Sequence, residues 1–397
     1  MDLSLTEEQK MIRKMTREFA QNEVKPVCRE YEKHTDPKEC YPWPLLKRAS
    51  ELGLRLWTFP AEYGGGGVTD LITMQIVLEE LGAGDHGFGS SMCQMLMNGL
   101  AYNHRMTKAQ KDEWFPKIIK DDTWVVGSAG TEANSGSDNT FMQKVPGVGR
   151  QTFAEKRGDE YIINGTKMYI SNGHVGKLFN VLAKTDKKSS WSESGHTFLV
   201  PPSTPGFTIA KVEDKLGRRC LSNAEMVFED MHVPARQLMK EPDAEMERLG
   251  GALNVFTALR IALMTDMYEA CVEYATNRIQ GGKPIIRHQV TAIHLSEMRI
   301  KIEVARNMLH AQSWRAMNNY EYDPKLNNQL AGFTTETVAR CCFLANDIFA
   351  GMGSSKESRL EKLLRDAFTA IHVPTIAQAF VPTAPGYVAL NKMPVDP

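Results

Sequence analysis

Residues 164–173 read Asn164-Gly165-Thr166-Lys167-Met168-Tyr169-Ile170-Ser171-Asn172-Gly173, and the architecture of the chain can be worked out from them. An Asn-Gly turn signal stands at each end, and the residues between include β-branched and aromatic side chains that suit a strand. Similar short runs between turn signals recur from about residue 124 to about residue 238. They are 161–163, 179–182, 196–200 and 225–228. This pattern predicts an antiparallel β domain.

Helical periodicity replaces this pattern on both sides. Upstream, Val68-Thr69-Asp70 opens a segment with apolar residues at helical spacing, namely Leu71, Met74, Leu78 and Leu81. Beyond Pro242 the helical period returns. It predicts one apolar stripe, made of Val290, Ile293, Met298, Ile302, Ala305 and Leu309. Long helices with full stripes usually pack as a bundle.

We therefore predict an α+β fold with three domains. They are an N-terminal α-helical domain (1–122), a middle antiparallel β domain (123–240) and a C-terminal four-helix bundle domain (241–397). The polar segment 187–195 is expected to form a surface loop in the middle domain.

Composition limits the possible partners. The 397 residues include 47 Lys plus Arg and 48 Asp plus Glu, so no charge excess indicates a nucleic-acid or membrane-surface partner. The first thirty residues lack a signal-peptide core, and no long apolar run occurs, so we expect a cytoplasmic protein. The seven cysteines are odd in number and contain no CxxC pair, which disfavours a disulfide framework and a zinc site.

Six ordered segments identify a family resemblance. Pro60 to Gly65 matches P-x-x-Y-G-G, Thr131 to Asp138 matches T-E-P-x-A-G-S-D, and residues 164–173 match N-G-x-K-x-W-I-T-N-G. Leu216-Gly217-Arg218 with Phe228 to Pro234 matches the end of the β domain. Arg278 to Gly282 with His288-Gln289 matches R-x-x-F-G followed by x-Q, and the last match is Arg365-Asp366-Ala367. In this order, over nearly the whole chain, the segments resemble the acyl-CoA dehydrogenases.

The resemblance implies an FAD cofactor. A flavin ring that accepts a hydride gains negative charge near its pyrimidine edge, where N–H and O–H donors stabilise it. By resemblance, Thr131 and Ser171 contact the ring, Tyr169 stacks on it, and Arg278 meets the pyrophosphate of FAD in a neighbouring subunit. Further expected contacts are Ser128, Gly130, Ile170, His288, Gln289, Asp347, Gly351, Ile376 and Gln378. Ser137 is expected to contact the CoA arm.

The expected general base is missing. In most of the family a glutamate follows R-D-A, but here its position holds Pro374, and residues 367–395 contain neither Glu nor Asp. The second known position, counted back from Arg278, falls on Ala252, and the adjoining arginine position falls on Leu253. A general base contributes about 10²- to 10⁴-fold, so the loss of both has consequences for the reaction.

Three explanations remain open. The base is relocated, to His372, whose imidazole titrates near neutrality, or to Glu247 or Asp266 if the alignment shifts. Alternatively, the enzyme eliminates or desulfinates an acyl-CoA without abstracting the Cα proton. In the third, it resembles the flavin monooxygenases of the same fold. A non-catalytic FAD- or CoA-binding protein is the contrasting class.

We predict an FAD-dependent oxidoreductase that acts on the CH–CH group of an acyl-CoA thioester, with a relocated or absent base. As in the family, the expected partners are the acyl-CoA substrate and an electron-transferring flavoprotein. The expected assembly is a homotetramer, built from dimers that complete each other's FAD sites.

Overall fold

The computed structural model describes residues 4–136 and 149–372. An N-terminal helical block precedes a β-sheet, and further helices follow it. The N-terminal helices are α1 (Glu7–Phe19), α2 (Lys25–Tyr31), α3 (Trp43–Glu51), α4 (Leu71–Gly84), α5 (His86–Arg105) and α6 (Lys108–Lys120). None of the helices in these ranges is long and apolar enough to cross a bilayer.

Side-chain caps fix where the N-terminal helices begin. Asp70 accepts a hydrogen bond from the Thr73 amide at 2.6 Å, which confirms the helix start predicted there. Asp85 caps α5 in the same way, accepting from the Phe88 amide at 2.8 Å. These caps satisfy amides that the first helical turn leaves without backbone partners.

The middle block is a seven-stranded sheet. Its strands are β1 (Val126–Ala129), β2 (Phe153–Arg157), β3 (Glu160–Ser171), β4 (Leu178–Lys184), β5 (Gly195–Val200), β6 (Phe207–Val212) and β7 (Asn223–Pro234). The order is β1-β4-β2-β3-β7-β6, with β5 also paired to β4. The four predicted runs lie in β3, β4, β5 and β7, as expected. The prediction of an antiparallel sheet is wrong in part, because β4 pairs in parallel with β1 and β2.

The predicted surface loop at 187–195 is also partly wrong. Trp191–Ser194 forms a one-turn helix, α7, and Gly195 already belongs to β5. The guanidinium of Arg150 lies over the Trp191 ring at 4.2 Å. This cation–π contact and the buried Ser194 hold the segment against the sheet.

The C-terminal block is helical. It contains α8 (Ala244–Leu253), α9 (Val255–Asn277), α10 (Gln289–Met317), α11 (Pro324–Phe349) and α12 (Arg359–Ala370), and a two-stranded hairpin of β8 (Ile279–Gln280) and β9 (Lys283–Pro284) lies between α9 and α10. Helix α9 packs against α4, α10 and α11. One apolar core therefore runs through both helical blocks, and a smaller core lies in the sheet.

The predicted stripe on α10 divides between two faces. Met298, Ile302, Ala305 and Leu309 are buried, as expected. Val290 and Ile293 are instead exposed, and they continue along the helix with Ile300 and Val304 as a second apolar row. We call Val290, Ile293, Ile300 and Val304 the α10 outer row.

The loop between β6 and β7 fastens the sheet to α12. A Cβ atom on Gly217 would lie 2.6 Å from the Asp366 amide nitrogen, and closer still to the backbone carbonyl of Arg365. The Arg218 amide donates to Asp366 Oδ1 at 2.5 Å. Only glycine allows this backbone approach.

We expect Gly217→Ala to lower the free energy of unfolding by about 1–3 kcal/mol, since its methyl group would overlap rigid backbone. Chemical denaturation measures the change. Gly250→Ala is the matched control, because the added methyl there meets only the end of the flexible Met246 side chain at 3.0 Å. Equal stability of Gly217→Ala and the unaltered protein would contradict the close contact.

Candidate functional site

The end of β3 is irregular where the flavin contacts are predicted. Its pairing with β7 shifts register between Lys167 and Ile170, which marks a bulge. Within it, Tyr169 has φ of 57° and is 59% exposed, while Ile170 is buried. Bulges and left-handed residues of this kind often re-aim side chains at functional sites. The uncovered phenol ring can stack on a planar ligand.

The segment after β1 runs beside this bulge. The Met168 amide donates to the Thr131 carbonyl at 2.9 Å, and Thr131 is exposed. The Gly130 carbonyl accepts from Arg150 Nε at 2.9 Å and from Lys167 Nζ at 3.3 Å. Ser171, half-buried, has its carbonyl against β1. The structure thus brings Gly130, Thr131, Tyr169 and Ser171 to one end of the sheet.

A buried ion pair lies under this segment. Lys167 Nζ is 2.7 Å from Glu132 Oε1, and the side chain of Lys167 has no exposed surface. The Glu132 carboxylate also accepts from the Gln151 amide at 2.5 Å and the Thr152 amide at 3.0 Å. Burial would raise the pKa of Glu132, but Lys167 and these donors lower it. Burial lowers the pKa of Lys167 to about 8, so the pair is charged at pH 7.

Helix α5 contacts both β3 and β1 through polar side chains. Ser91 Oγ donates to Asn172 Oδ1 at 2.7 Å, and Asn172 Nδ2 donates to the Val126 carbonyl at 2.9 Å. Ser128 is half-buried, and its hydroxyl lies 3.4 Å from Asn98 Oδ1. The Ser128 side chain therefore faces α5, on the inner side of the sheet.

A second group of predicted FAD contacts lies at the end of the helical bundle. Arg278 and Gln289 are exposed, and His288 Nε2 lies 2.9 Å from the Gln280 carbonyl of the hairpin. Asp347 and Gly351 are exposed at the end of α11. The hairpin residues and the residues at the end of α11 are neighbours, since Phe349 of α11 stacks on Tyr274 of α9 with ring centroids 4.2 Å apart.

Neither carboxylate candidate for the base is suitably placed. Asp266, on α9, is buried and pairs with Lys25 at 2.6 Å and with Arg359, so its charge is already compensated. Glu247 is exposed on α8. Ala252 is buried one turn further along α8, and its carbonyl accepts from Ser313 Oγ at 3.0 Å.

The remaining predicted residues lie near or beyond the end of the described chain. His372 is exposed immediately after α12. Ser137, Pro374, Ile376 and Gln378 lie outside the described residues.

Comparison with known families decides the identity of this fold. Models of the acyl-CoA dehydrogenase N-terminal, middle and C-terminal domains match residues 6–122, 127–231 and 245–370. The chain belongs to the acyl-CoA dehydrogenase family. Members of this family are FAD-dependent oxidoreductases. Their fold has an N-terminal helical domain, a middle β domain and a C-terminal helical domain, as found in this chain.

Individual relatives agree over nearly the whole length. The chain is 32% identical to a probable acyl-CoA dehydrogenase of Bacillus subtilis, over 92% of this chain and 94% of the relative. It is also 32% identical to an NADH-dependent acryloyl-CoA reductase of Anaerotignum propionicum, over 92% and 91%. The solved butyryl-CoA dehydrogenase of Megasphaera elsdenii is 27% identical, with a TM-score of 0.84 over 98% of this chain and 100% of that chain.

The Glu132–Lys167 pair had no assigned role at the sequence level, although both residues belong to quoted motifs. The available signal was a lysine in the interior of a predicted strand, close to the apolar Met168 and Ile170. A lysine there must face solvent or a carboxylate.

We expect Glu132→Gln to destabilise the protein by about 3–5 kcal/mol, because it leaves the Lys167 charge buried and unpaired. Denaturation at pH 7 measures the loss. The control, Glu155→Gln, breaks an exposed pair with Arg157 and should leave the free energy of unfolding nearly unchanged, because solvent screens that pair. Adding Lys167→Met to Glu132→Gln should recover part of the loss. Equal effects of the two single substitutions would contradict the role of the buried pair.

Proposed function

We propose that this protein catalyses hydrogen transfer between FAD and the CH–CH bond of an acyl-CoA thioester, at the end of β3. The observation that supports this site most is the exposed, bulged Tyr169 between Thr131 and Ser171. Among the described residues of these motifs, Tyr169 combines a left-handed backbone with a large side chain that is 59% exposed. When bound, FAD supplies the hydride acceptor or donor.

The chain's own groups would orient the cofactor. The Tyr169 ring would stack against it, while the hydroxyls of Thr131 and Ser171 would donate hydrogen bonds to the edge that gains negative charge. Gly130 and Ile170 would shape the backbone beside it. Ser128 would act from the inner side of the sheet, through its contact with α5. Ser137 would bind the CoA arm.

The proton is assigned to His372. In the oxidative direction it would leave Cα for the imidazole, as a hydride leaves Cβ for the cofactor, which gives the α,β-unsaturated thioester. The choice of His372 is supported by the unsuitable positions of the two carboxylate candidates. Asp266 already pairs with Lys25, and Glu247 faces solvent. An imidazole can accept a proton near neutral pH.

We further propose that the working form is a homotetramer, a dimer of dimers. Two observations support it. The α10 outer row leaves Ile293 and Ile300 more than half exposed, and the nearby Phe343 of α11 is 69% exposed. At one end of this surface, Arg278 is free to reach a partner's FAD pyrophosphate, with His288, Gln289, Asp347 and Gly351 beside it.

The electron partner follows from the family. An electron-transferring flavoprotein would accept the electrons in the oxidative direction, and the protein would act in the cytoplasm. One of the relatives is named as a reductase that uses NADH. Whether the protein oxidises or reduces the acyl-CoA therefore depends on whether its partner oxidises or reduces the bound FAD.

An anaerobic titration tests the reaction. We expect saturated acyl-CoA thioesters to bleach the bound flavin and to yield the α,β-unsaturated product. His372→Ala should slow the bleaching by about 10²-fold or more, with little change in thioester affinity, because only proton transfer is lost. His294→Ala, a partly exposed histidine on α10, is the control. A protein that retains no flavin would contradict the function. Unchanged bleaching by His372→Ala would contradict only the assigned base.

Solution mass and flavin content test the assembly. We expect Ile300→Glu to reduce the tetramer to smaller species and to lower FAD retention, because a charge in the α10 outer row cannot be buried without a partner. Met11→Glu is the control, since Met11 is 71% exposed but lies on α1. A tetramer that persists in Ile300→Glu would contradict the role of this row.

A further inference from the structure

Resting on the proposed function, we propose that the acyl group of the substrate ends in a carboxylate, and that Arg218, oriented by Ser90, holds this carboxylate with His86. The substrate class would be the monothioesters of dicarboxylic acids with CoA. Among the described residues, the fold buries the Arg218 guanidinium without a carboxylate partner and the His86 ring nitrogens without hydrogen-bond partners.

Arg218 lies on the loop that Gly217 fastens to α12, and it has a left-handed backbone with φ of 53°. Its Nη2 donates to Ser90 Oγ at 2.8 Å. Its Nε is buried and has no hydrogen-bond partner among the described residues. Within the same part of the chain, no carboxylate forms an ion pair with this guanidinium. A buried guanidinium of this kind can donate charge-assisted hydrogen bonds to an incoming carboxylate.

The nearest carboxylates are already used. Asp85 and Asp366 each lie 2.8 Å from Lys362 Nζ. Burial lowers the pKa of Arg218, and these two charges offset only part of the effect. A second cation, Arg260 on α9, is buried nearby, and burial together with Arg218 lowers its pKa to about 10. The region therefore favours an anion over a neutral apolar group.

His86 stands one turn before Ser90 on α5. It is 4% exposed, and both ring nitrogens lack hydrogen-bond partners among the residues that the structure describes. Burial and the charge of Arg218 keep the pKa of His86 well below its ordinary value, so the ring is neutral and offers one N–H donor.

The position suits the far end of an acyl chain. Ser90 adjoins Ser91, whose hydroxyl donates to Asn172 at 2.7 Å, and Asn172 directly follows Ser171 at the proposed flavin site. These contacts place the guanidinium of Arg218 close to the proposed flavin site, on the side of α5. A carboxylate there would accept hydrogen bonds from Arg218 and His86, whose buried nitrogens otherwise lack partners among the described residues. Ser90 donates to the His86 carbonyl at 2.7 Å and accepts from Arg218, so it would orient the guanidinium.

Anaerobic spectral titration of the FAD-loaded protein tests this inference. The methyl-ended probes are butyryl-CoA and hexanoyl-CoA. The carboxylated probes are succinyl-CoA, glutaryl-CoA and adipyl-CoA. We expect at least one carboxylated thioester to bind about tenfold or more tightly than the methyl-ended thioesters, because it gains charge-assisted hydrogen bonds. Arg218→Gln should remove that preference and leave binding of the methyl-ended thioesters within about twofold.

Arg219→Gln is the matched control, with the same charge change at the next residue, where Arg219 instead pairs with Asp214. Ser90→Ala is a second variant, expected to weaken the carboxylated thioester alone, and it keeps the test valid if Arg218→Gln does not fold. Tighter binding of methyl-ended thioesters, or an equal loss for both classes in Arg218→Gln, would overturn the inference. Binding of free glutarate without any preference among thioesters would also overturn it, since the pocket would then serve a free anion. If no thioester perturbs the flavin at all, the proposed function itself fails.

Discussion

The contact between the β6–β7 loop and α12 holds the three parts of the molecule together. Asp366 accepts from the Arg218 amide and pairs with Lys362, which also pairs with Asp85, the cap of α5. One buried cluster thus joins the sheet, the N-terminal helices and the C-terminal helices. Burial alone would lower the pKa of Lys362, but Asp366, Asp85 and Glu32 raise it well above its ordinary value. Removal of Lys362 would leave the buried carboxylates of Asp85 and Asp366 without this cation.

Local signals predicted most of the secondary structure, because the forces that create it are local. The Asp70 cap and the strands at 161–163 and 179–182 depend only on residues a few positions away. The two faces of α10 could not be separated in this way. Val290 and Met298 have the same apolar character, and periodicity does not reveal whether the chain itself or another copy covers a face. The parallel pairing of β4 likewise depends on strand order, which the turn signals do not contain.

In the candidate site, too, local motifs predicted some residues, while contacts between residues distant in sequence could not be predicted. Motif order predicted Thr131, Tyr169 and Ser171, and these lie together because a short segment runs beside one strand. Asp266 was a reasonable candidate base from its position on a helix, yet it pairs with Lys25, which is 241 residues away in the chain. Pairs so distant in sequence have no local signature. For the same reason, no sequence pattern placed Arg218 against Ser90, or singled out His86 as a buried ring without partners.

On the proposed substrate, one electrostatic constraint would account for two features, namely the absence of Glu and Asp from residues 367–395 and the buried guanidinium of Arg218. If the acyl chain carries a carboxylate, a glutamate base near Cα would place a second negative charge in the same enclosed space. Two unit charges about 8 Å apart repel by about 2 kcal/mol at an effective dielectric constant of about 20. A neutral base such as the imidazole of His372 avoids this repulsion. Arg218 and Arg260 would then attract both the carboxylate and the negative charge that develops on the thioester as the Cα proton leaves. A site with these charges would bind an anionic acyl group better without an acidic side chain beside Cα, which leaves proton abstraction to a group that is not an anion.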